Sequence, residues 1–128
     1  MFTMCYTRSS ITDISLFRKS ELRDEGGNKM GKIMAVNISE KKGTQKKNVH
    51  SARLMEEFGI EKDAHAGKWH RQVSLLSYEK IEEFKAKGAP IEDGAFGENL
   101  IVSGYDLKAL PVGTRLRSGE VLLEVTQI

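Results

Sequence analysis

The chemically capable side chains gather in one stretch, Gly59-Ile-Glu-Lys-Asp-Ala-His-Ala-Gly-Lys-Trp-His-Arg-Gln-Val-Ser-Leu-Leu76. It holds two of the three histidines, His65 and His70, and the only tryptophan, Trp69, together with Asp63 and Arg71. Either histidine could donate a proton near neutral pH. The commoner roles are a loop hydrogen bond for a histidine and packing for Trp69. His65 and His70 are five positions apart. That spacing does not stack them on a helix, and it sets them on opposite faces of a strand. Gly67 lets the backbone fold back between them, so a looped site stays open. With no cysteine nearby, a closed zinc centre is not expected and no metal is assigned.

Arg71 has a more specific placement. If residues 71–75 are extended, Arg71 shares a face with Val73 and Leu75, while Gln72, Ser74 and Leu76 fall on the other. An inward guanidinium needs a partner, because a buried unpaired charge is costly. Asp63 or Glu98 could serve, as an internal salt bridge. An anionic ligand gripped in bidentate fashion would serve equally. Glu98 lies in a second stretch, Gly94-Ala-Phe-Gly-Glu-Asn-Leu100. This is not a phosphate loop, since it lacks the Lys-Ser/Thr pair and the following helix. Gly97 allows close backbone approach, so Glu98 and Asn99 could face the same pocket as Arg71. The alternative is a turn in which Asn99 bonds its own backbone. Ser74 and Ser77 have no recognisable triad spacing, and no catalytic residue is assigned.

A set of short elements must hold these loops. Residues 32–39 read as a strand that is apolar on both faces and therefore buried. Residues 51–58 read as a helical turn stopped by Gly59. Ser77 caps a helix over 78–87, with Leu76 and Ile81 as a hydrophobic staple, Glu83 and Lys87 as an i,i+4 pair, and Gly88 and Pro90 as the stop. Residues 100–102 form a strand, and 106–110 a single turn. Residues 114–117 and 120–125 form a hairpin across Ser118-Gly119. Short strands broken by glycine, with few helices, predict a mainly β, small barrel-like domain. Residues 1–30 carry only a helical hint around Ile11, Ile14 and Leu16-Phe17, then a polar linker. They are expected to be a loosely attached extension, with the domain running over 31–128. The pattern stops inside the Val121–Gln127 strand, as expected of a domain incomplete at its C-terminal end.

Composition bounds the rest. The length of 128 residues suits one domain. A net charge of +2 with scattered basic residues is no nucleic-acid footprint. The pairs Lys41-Lys42 and Lys46-Lys47 flank Gly43-Thr44-Gln45 and read as a solvated turn, with a small anion-facing loop as the alternative. No apolar run approaches the ~20 residues of a membrane span, and the first residues do not resemble a secretory signal, so a cytoplasmic protein is expected. The single cysteine, Cys5, excludes an internal disulfide and reads as an incidental thiol.

The motifs decide more when taken together. Asp63-Ala-His-Ala-Gly67, His70-Arg-Gln-Val-Ser-Leu-Leu76, Gly94-Ala-Phe-Gly-Glu-Asn-Leu100, Leu110-Pro-Val-Gly-Thr-Arg-Leu116 and Val121-Leu-Leu-Glu-Val-Thr-Gln127 closely resemble a MOSC domain from about Gly31 onward. Such domains occur at the C-terminus of molybdenum-cofactor sulfurases and as stand-alone bacterial proteins. The resemblance implies a β-barrel-like fold and a role in handling molybdenum cofactor (molybdopterin), or sulfur destined for it. Partners would be molybdenum-cofactor enzymes or a sulfur donor protein. At the family level it brings an association with pyridoxal phosphate, though this chain has no room for a pyridoxal-dependent domain. Carried over by position, Arg71 and Asn99 would contact the pterin or its phosphate, and His65, His70, Asp63 and Glu98 would line the same pocket. MOSC domains continue past the Val-Thr-Gln strand to a cysteine, the presumed sulfur or metal ligand, and Cys5 is in the wrong place to substitute. The resemblance therefore admits a part in molybdenum-dependent sulfur transfer or reduction. It equally admits a non-catalytic anion- or pterin-binding module, or an inactive truncated domain.

Overall fold

The computed structural model describes residues 3–7, 12–15, 20–24, 30–49, 51–55, 58–64, 66–67, 72–92, 94–118 and 121–127. In chain order the strands are β1 (Thr3–Thr7), β2 (Thr12–Ser15), β3 (Ser20–Asp24), β4 (Met30–Ile38), β5 (Lys47–Asn48), β6 (Ser51–Met55), β7 (Gly59–Ile60) and β8 (Val73–Ser77). The helix α1 (Tyr78–Ala86) follows. After it come β9 (Leu100–Ser103), a 3-10 turn at Leu107–Ala109, β10 (Arg115–Ser118) and β11 (Val121–Gln127). The main sheet runs β3-β10-β11-β1-β8-β9-β4-β5, and an additional β3–β4 pairing joins its ends into a ring of seven strands. Closure leaves those strands without an open edge. The mainly β, barrel-like fold expected from the strand pattern is what forms. A smaller sheet, β2-β6-β7, stands beside it.

The interior is filled from every side of the ring. Leu22, Ile33, Val36, Val73, Leu75, Leu100, Val102, Leu116, Leu123 and Val125 form one cluster, and each is essentially inaccessible to water. β4 shows how a strand serves two cores. Its pairing with β9 shifts register between Ile33 and Ala35. A bulge of this kind inserts one residue and reverses the alternation. Ile33 and Val36 therefore face the barrel interior, whereas Ala35 joins a second cluster with Leu76, Ile81 and Ile101. That second cluster is the floor under α1. Burial on both faces explains the apolar run Ile33-Met-Ala-Val36 in this strand.

β8 and β9 are the one parallel pair of the ring, with Leu75 opposite Leu100. Parallel neighbours need a crossover, and α1 supplies it. The Ser77 hydroxyl accepts from the Lys80 N–H at 3.3 Å, the expected N-cap, and Gly88 has φ +92° just past the helix end. Ile81 is the buried residue of the helix. The ion pairs on its outer face are Lys80–Glu83 and Glu82–Lys85, each at 3.6 Å and exposed. No helix among the described residues is long and apolar enough to cross a membrane.

Three expectations are corrected. Residues 3–7 and 20–24, expected in a loose extension, are barrel strands. β1 lies between β8 and β11, and β3 between β4 and β10. Cys5 and Leu22 are fully buried, while Glu21 and Arg23 flank Leu22 outside. In β3 a single apolar residue among five is too sparse an alternation to stand out. Part of the helical hint at 11–17 is β2, and residues 51–55 of the expected helical turn are β6. These segments pair with each other, Thr12 opposite Leu54 and Ser15 opposite Ser51. Partner strands override the mild helical preference of Ala-Arg-Leu-Met.

Candidate functional site

Two loops meet at the C-terminal end of β4. The first spans residues 61–67. It is fastened by main-chain bonds from Asp63 N to Ile60 O (3.1 Å), Ala64 N to Ser39 O (2.7 Å), Ala66 N to Asp63 O (3.1 Å) and Gly67 N to Phe58 O (2.7 Å). The Asp63 carboxylate points inward. Its Oδ1 accepts from the Ser39 N–H at 3.1 Å and from the Lys46 ammonium at 2.5 Å. Both side chains of this ion pair are almost wholly removed from water. Such a pair persists only when each charge has its partner and further donors complete the shell.

The second loop spans residues 94–99, and its organiser is Glu98, which is fully buried. Glu98 Oε2 accepts from the Gly94 N–H at 2.7 Å, and Oε1 from the Phe96 N–H at 3.1 Å. The carboxylate thus fills the small nest of backbone donors that the loop forms. The Asn37 amide sits beside it. In one orientation its Nδ2 donates to Glu98 Oε2 at 3.3 Å; turned over, it accepts from Gly94 N and donates to Val36 O, each at 3.3 Å. Gly94 is required for two reasons. Its φ is +83°, and a Cβ there would lie 1.7 Å from the Lys46 carbonyl oxygen.

Asn99 ties this loop to both neighbouring strands. Its N–H donates to the carbonyl and hydroxyl of Ser74 at 3.0 and 3.1 Å. Its Oδ1 accepts from the Ser74 N–H at 3.0 Å, and its Nδ2 donates to Asn37 O at 3.0 Å. The Asn37 N–H closes the square on Asn99 O at 2.6 Å. The turn in which Asn99 bonds its own backbone is therefore replaced by bonds across to β8 and β4.

Asp63, Glu98 and Asn99, three of the six expected site residues, therefore converge on the segment from Asn37 to Ser39. All three are buried and bonded within the protein. The other three, Arg71, His70 and His65, lie outside the described residues. The parity argument for the strand that Arg71 precedes is sound where it is described: Val73 and Leu75 face the barrel core, and Leu76 faces the helix. Of the two carboxylates named as possible partners of Arg71, Asp63 pairs with Lys46 and Glu98 accepts from backbone N–H groups.

Lys46 is the residue that sequence reasoning missed. The turn it belongs to does carry exposed lysines, Lys41, Lys42 and Lys47, as expected of a solvated turn, yet Lys46 itself is 1% exposed. No local pattern separates Lys46 from Lys47. The signal lies in the tertiary position of Asp63.

The thiol of Cys5 sits in the barrel interior, and burial pushes its pKa far above the ordinary 9.0. A buried, protonated thiol is neither a metal ligand nor a nucleophile. Among the described residues no cluster of three or more His, Cys, Asp or Glu could hold a metal ion. Burial also raises the Tyr105 phenol, whose hydroxyl donates to Leu22 O at 3.0 Å. A cleft of about 640 Å³ lies elsewhere, between α1 and the 104–108 turn. Of the 94–99 loop only Phe96 reaches it, its ring packed 6.0 Å from that of Phe84.

Comparison with curated proteins and with solved structures returns no match. Comparison with family models matches the MOSC domain over residues 62–128, just over half of the chain. The matched span contains β8, α1, β9, β10 and β11, and it takes in both Asp63 and the 94–99 loop. The closed barrel, the two loops meeting at β4 and this match lead to one conclusion: the chain belongs to the MOSC-domain family.

Proposed function

We propose that this protein binds molybdenum cofactor by its pterin and phosphate, as a carrier module for molybdenum-cofactor enzymes. Family membership supplies the class of ligand. The observation that supports it most is the internal bonding of both carboxylates. Asp63 is cancelled by Lys46, and Glu98 is capped by the Gly94 and Phe96 N–H groups. An approaching anion then meets little repulsion from Asp63, whose charge Lys46 balances. The sequence adjoining Asp63 and β8 brings His65, His70 and Arg71. Arg71 would clamp the phosphate in bidentate fashion, and the histidines would hydrogen-bond its oxygens or the pterin edge. Asp63, Glu98 and Asn99 would hold the loops that carry these contacts. The cofactor brings its own redox and sulfur chemistry. No sulfur-transfer step runs through the chain's one cysteine, because Cys5 is enclosed in the barrel.

The test is expression in a cofactor-producing host, with molybdenum measured by elemental analysis and pterin by fluorescence after oxidation. Both should copurify with the wild-type chain. The Arg71→Ala variant should retain roughly tenfold less pterin or lower still, the loss of one charge-assisted contact. Absence of pterin and molybdenum from the wild-type protein would overturn the reading. Undiminished retention by Arg71→Ala would remove Arg71 from the site while leaving cofactor binding intact.

A further inference from the structure

One buried residue touches both loops. The Lys46 side chain reaches Asp63 in the 61–67 loop. Its main chain lies directly against Gly94, where the Cα position is so close that any side-chain carbon would overlap the Lys46 carbonyl. The next residues, Lys47 and Asn48, form β5 and pair with Ile38 and Asn37 at the end of β4. Lys46 is thus fixed on three sides: by β4 through β5, by the first loop through charge, and by the second through backbone contact. We propose that Lys46 is a positioning residue that couples the 61–67 and 94–99 loops into one unit, so that neither takes its binding geometry without the other. Lys46 touches no ligand itself, since its ammonium is enclosed with Asp63.

The coupling has a physical basis. If the 61–67 loop moves away, it takes the carboxylate from an ammonium with no access to water, and Lys46 must then turn outward to be solvated. That movement shifts the Lys46 backbone, which is the surface on which Gly94 rests. Gly94 carries the N–H that begins the nest around Glu98. Displacing Gly94 loosens the nest, and with it the Asn99 bonds to Ser74 and Asn37. The same chain of contacts runs in reverse from the 94–99 loop to Asp63. Concerted opening of two sequence-distant loops is what such a joint predicts.

Its effect on binding rests on the proposed cofactor reading; the coupling itself does not. Native-state hydrogen exchange on the wild-type protein tests the coupling without any ligand. The amides of Ala64 and Gly67 in one loop, and of Gly97 and Asn99 in the other, should open together with one common urea dependence. Separate urea dependences for the two pairs would overturn the proposal. The paired replacement Lys46→Met with Asp63→Leu then tests the effect on binding. It removes both charges, so thermal stability should return close to wild type. Pterin retained per mole should nevertheless fall about tenfold, with faster exchange in both loops and unchanged exchange at Val73 and Leu75. Equal pterin retention and equal loop exchange in this variant would show that Lys46 only fills the fold. If the wild-type chain retains no pterin, the cofactor reading fails, while the exchange comparison still decides the coupling.

Discussion

The two loops at the end of β4 each bury a carboxylate, and they satisfy it in opposite ways. In the 94–99 loop the charge is met locally. Glu98 accepts from N–H groups four and two residues before it. In the 61–67 loop the charge is met at a distance, by Lys46, 17 residues upstream. The first arrangement depends on backbone conformation, and therefore on Gly94. The second depends on a specific counter-ion held in place by another part of the fold. A locally satisfied carboxylate keeps its donors as long as its own turn holds; a remotely satisfied one depends in addition on the strand that delivers its partner. The difference predicts which substitutions each loop tolerates.

The largest effect should come from the backbone-dependent loop. Gly94→Ala places a carbon inside the Lys46 carbonyl at a φ of +83°. A loss on the order of 5 kcal/mol is expected, enough to remove most of the protein's stability. Soluble yield and thermal denaturation would show it. Gly97→Ala, in the same loop at φ +78° but with open space around it, should cost only about 1–2 kcal/mol. Equal effects at the two positions would mean that the Lys46 contact is not what fixes this loop.

The next effect sets one carboxylate against the other. Asp63→Asn leaves the Lys46 ammonium buried without its counter-charge, at a cost of about 3–5 kcal/mol. Glu98→Gln keeps the shape and one good acceptor, and should cost about 1–3 kcal/mol. Urea unfolding of the two variants gives the order directly. If Glu98→Gln proves the more damaging, the contrast between local and remote satisfaction is wrong.

The smallest effect separates the barrel from both loops. Below pH 9.0 the Cys5 thiol is protonated whether the chain is folded or not. Above that value the unfolded thiol ionises while the buried one keeps its proton, so stability falls as pH rises. The slope contributed rises toward about 1.4 kcal/mol per pH unit as the unfolded thiol becomes fully ionised. Tyr105, also raised by burial, adds the same sign above its ordinary value of 10.0. Unfolding free energies measured between pH 9 and pH 10 should therefore decline in the wild type and decline less in Cys5→Ala. An identical slope in both would place the thiol outside the barrel interior.

The same distinction between local and remote explains what was legible in the sequence. α1 could be read because its cap, staple and stop lie within a dozen residues. The β10–β11 hairpin and β9 could be read from their alternation and their glycine breaks. The two motif-bearing loops were recognisable as belonging together, and the structure brings Asp63, Glu98 and Asn99 to one strand end. What stayed hidden depends on distant partners. β1 and β3 each show one described core residue, Cys5 and Leu22, and become strands only because the ring has places for them. β6 has helix-forming residues and pairs with β2 regardless. Lys46 differs from its neighbours only in what lies opposite it. Local chemistry is written in consecutive residues; remote satisfaction is written in topology.

The position of β1 has a consequence for synthesis. β1 pairs with β11, so Thr7 lies opposite Leu123 and Cys5 opposite Val125. β1 must wait for β11, far later in the chain, before the ring can close. At about 5–20 residues per second that delay is several seconds or more. During it, the edge of β1 that β11 will cover is unpaired and open to wrong partners. A tether joining residues near β1 to residues near β11, or a circular permutant that makes the two strands consecutive, should shorten this exposure. Either would turn the slowest contact of the barrel into a simple hairpin.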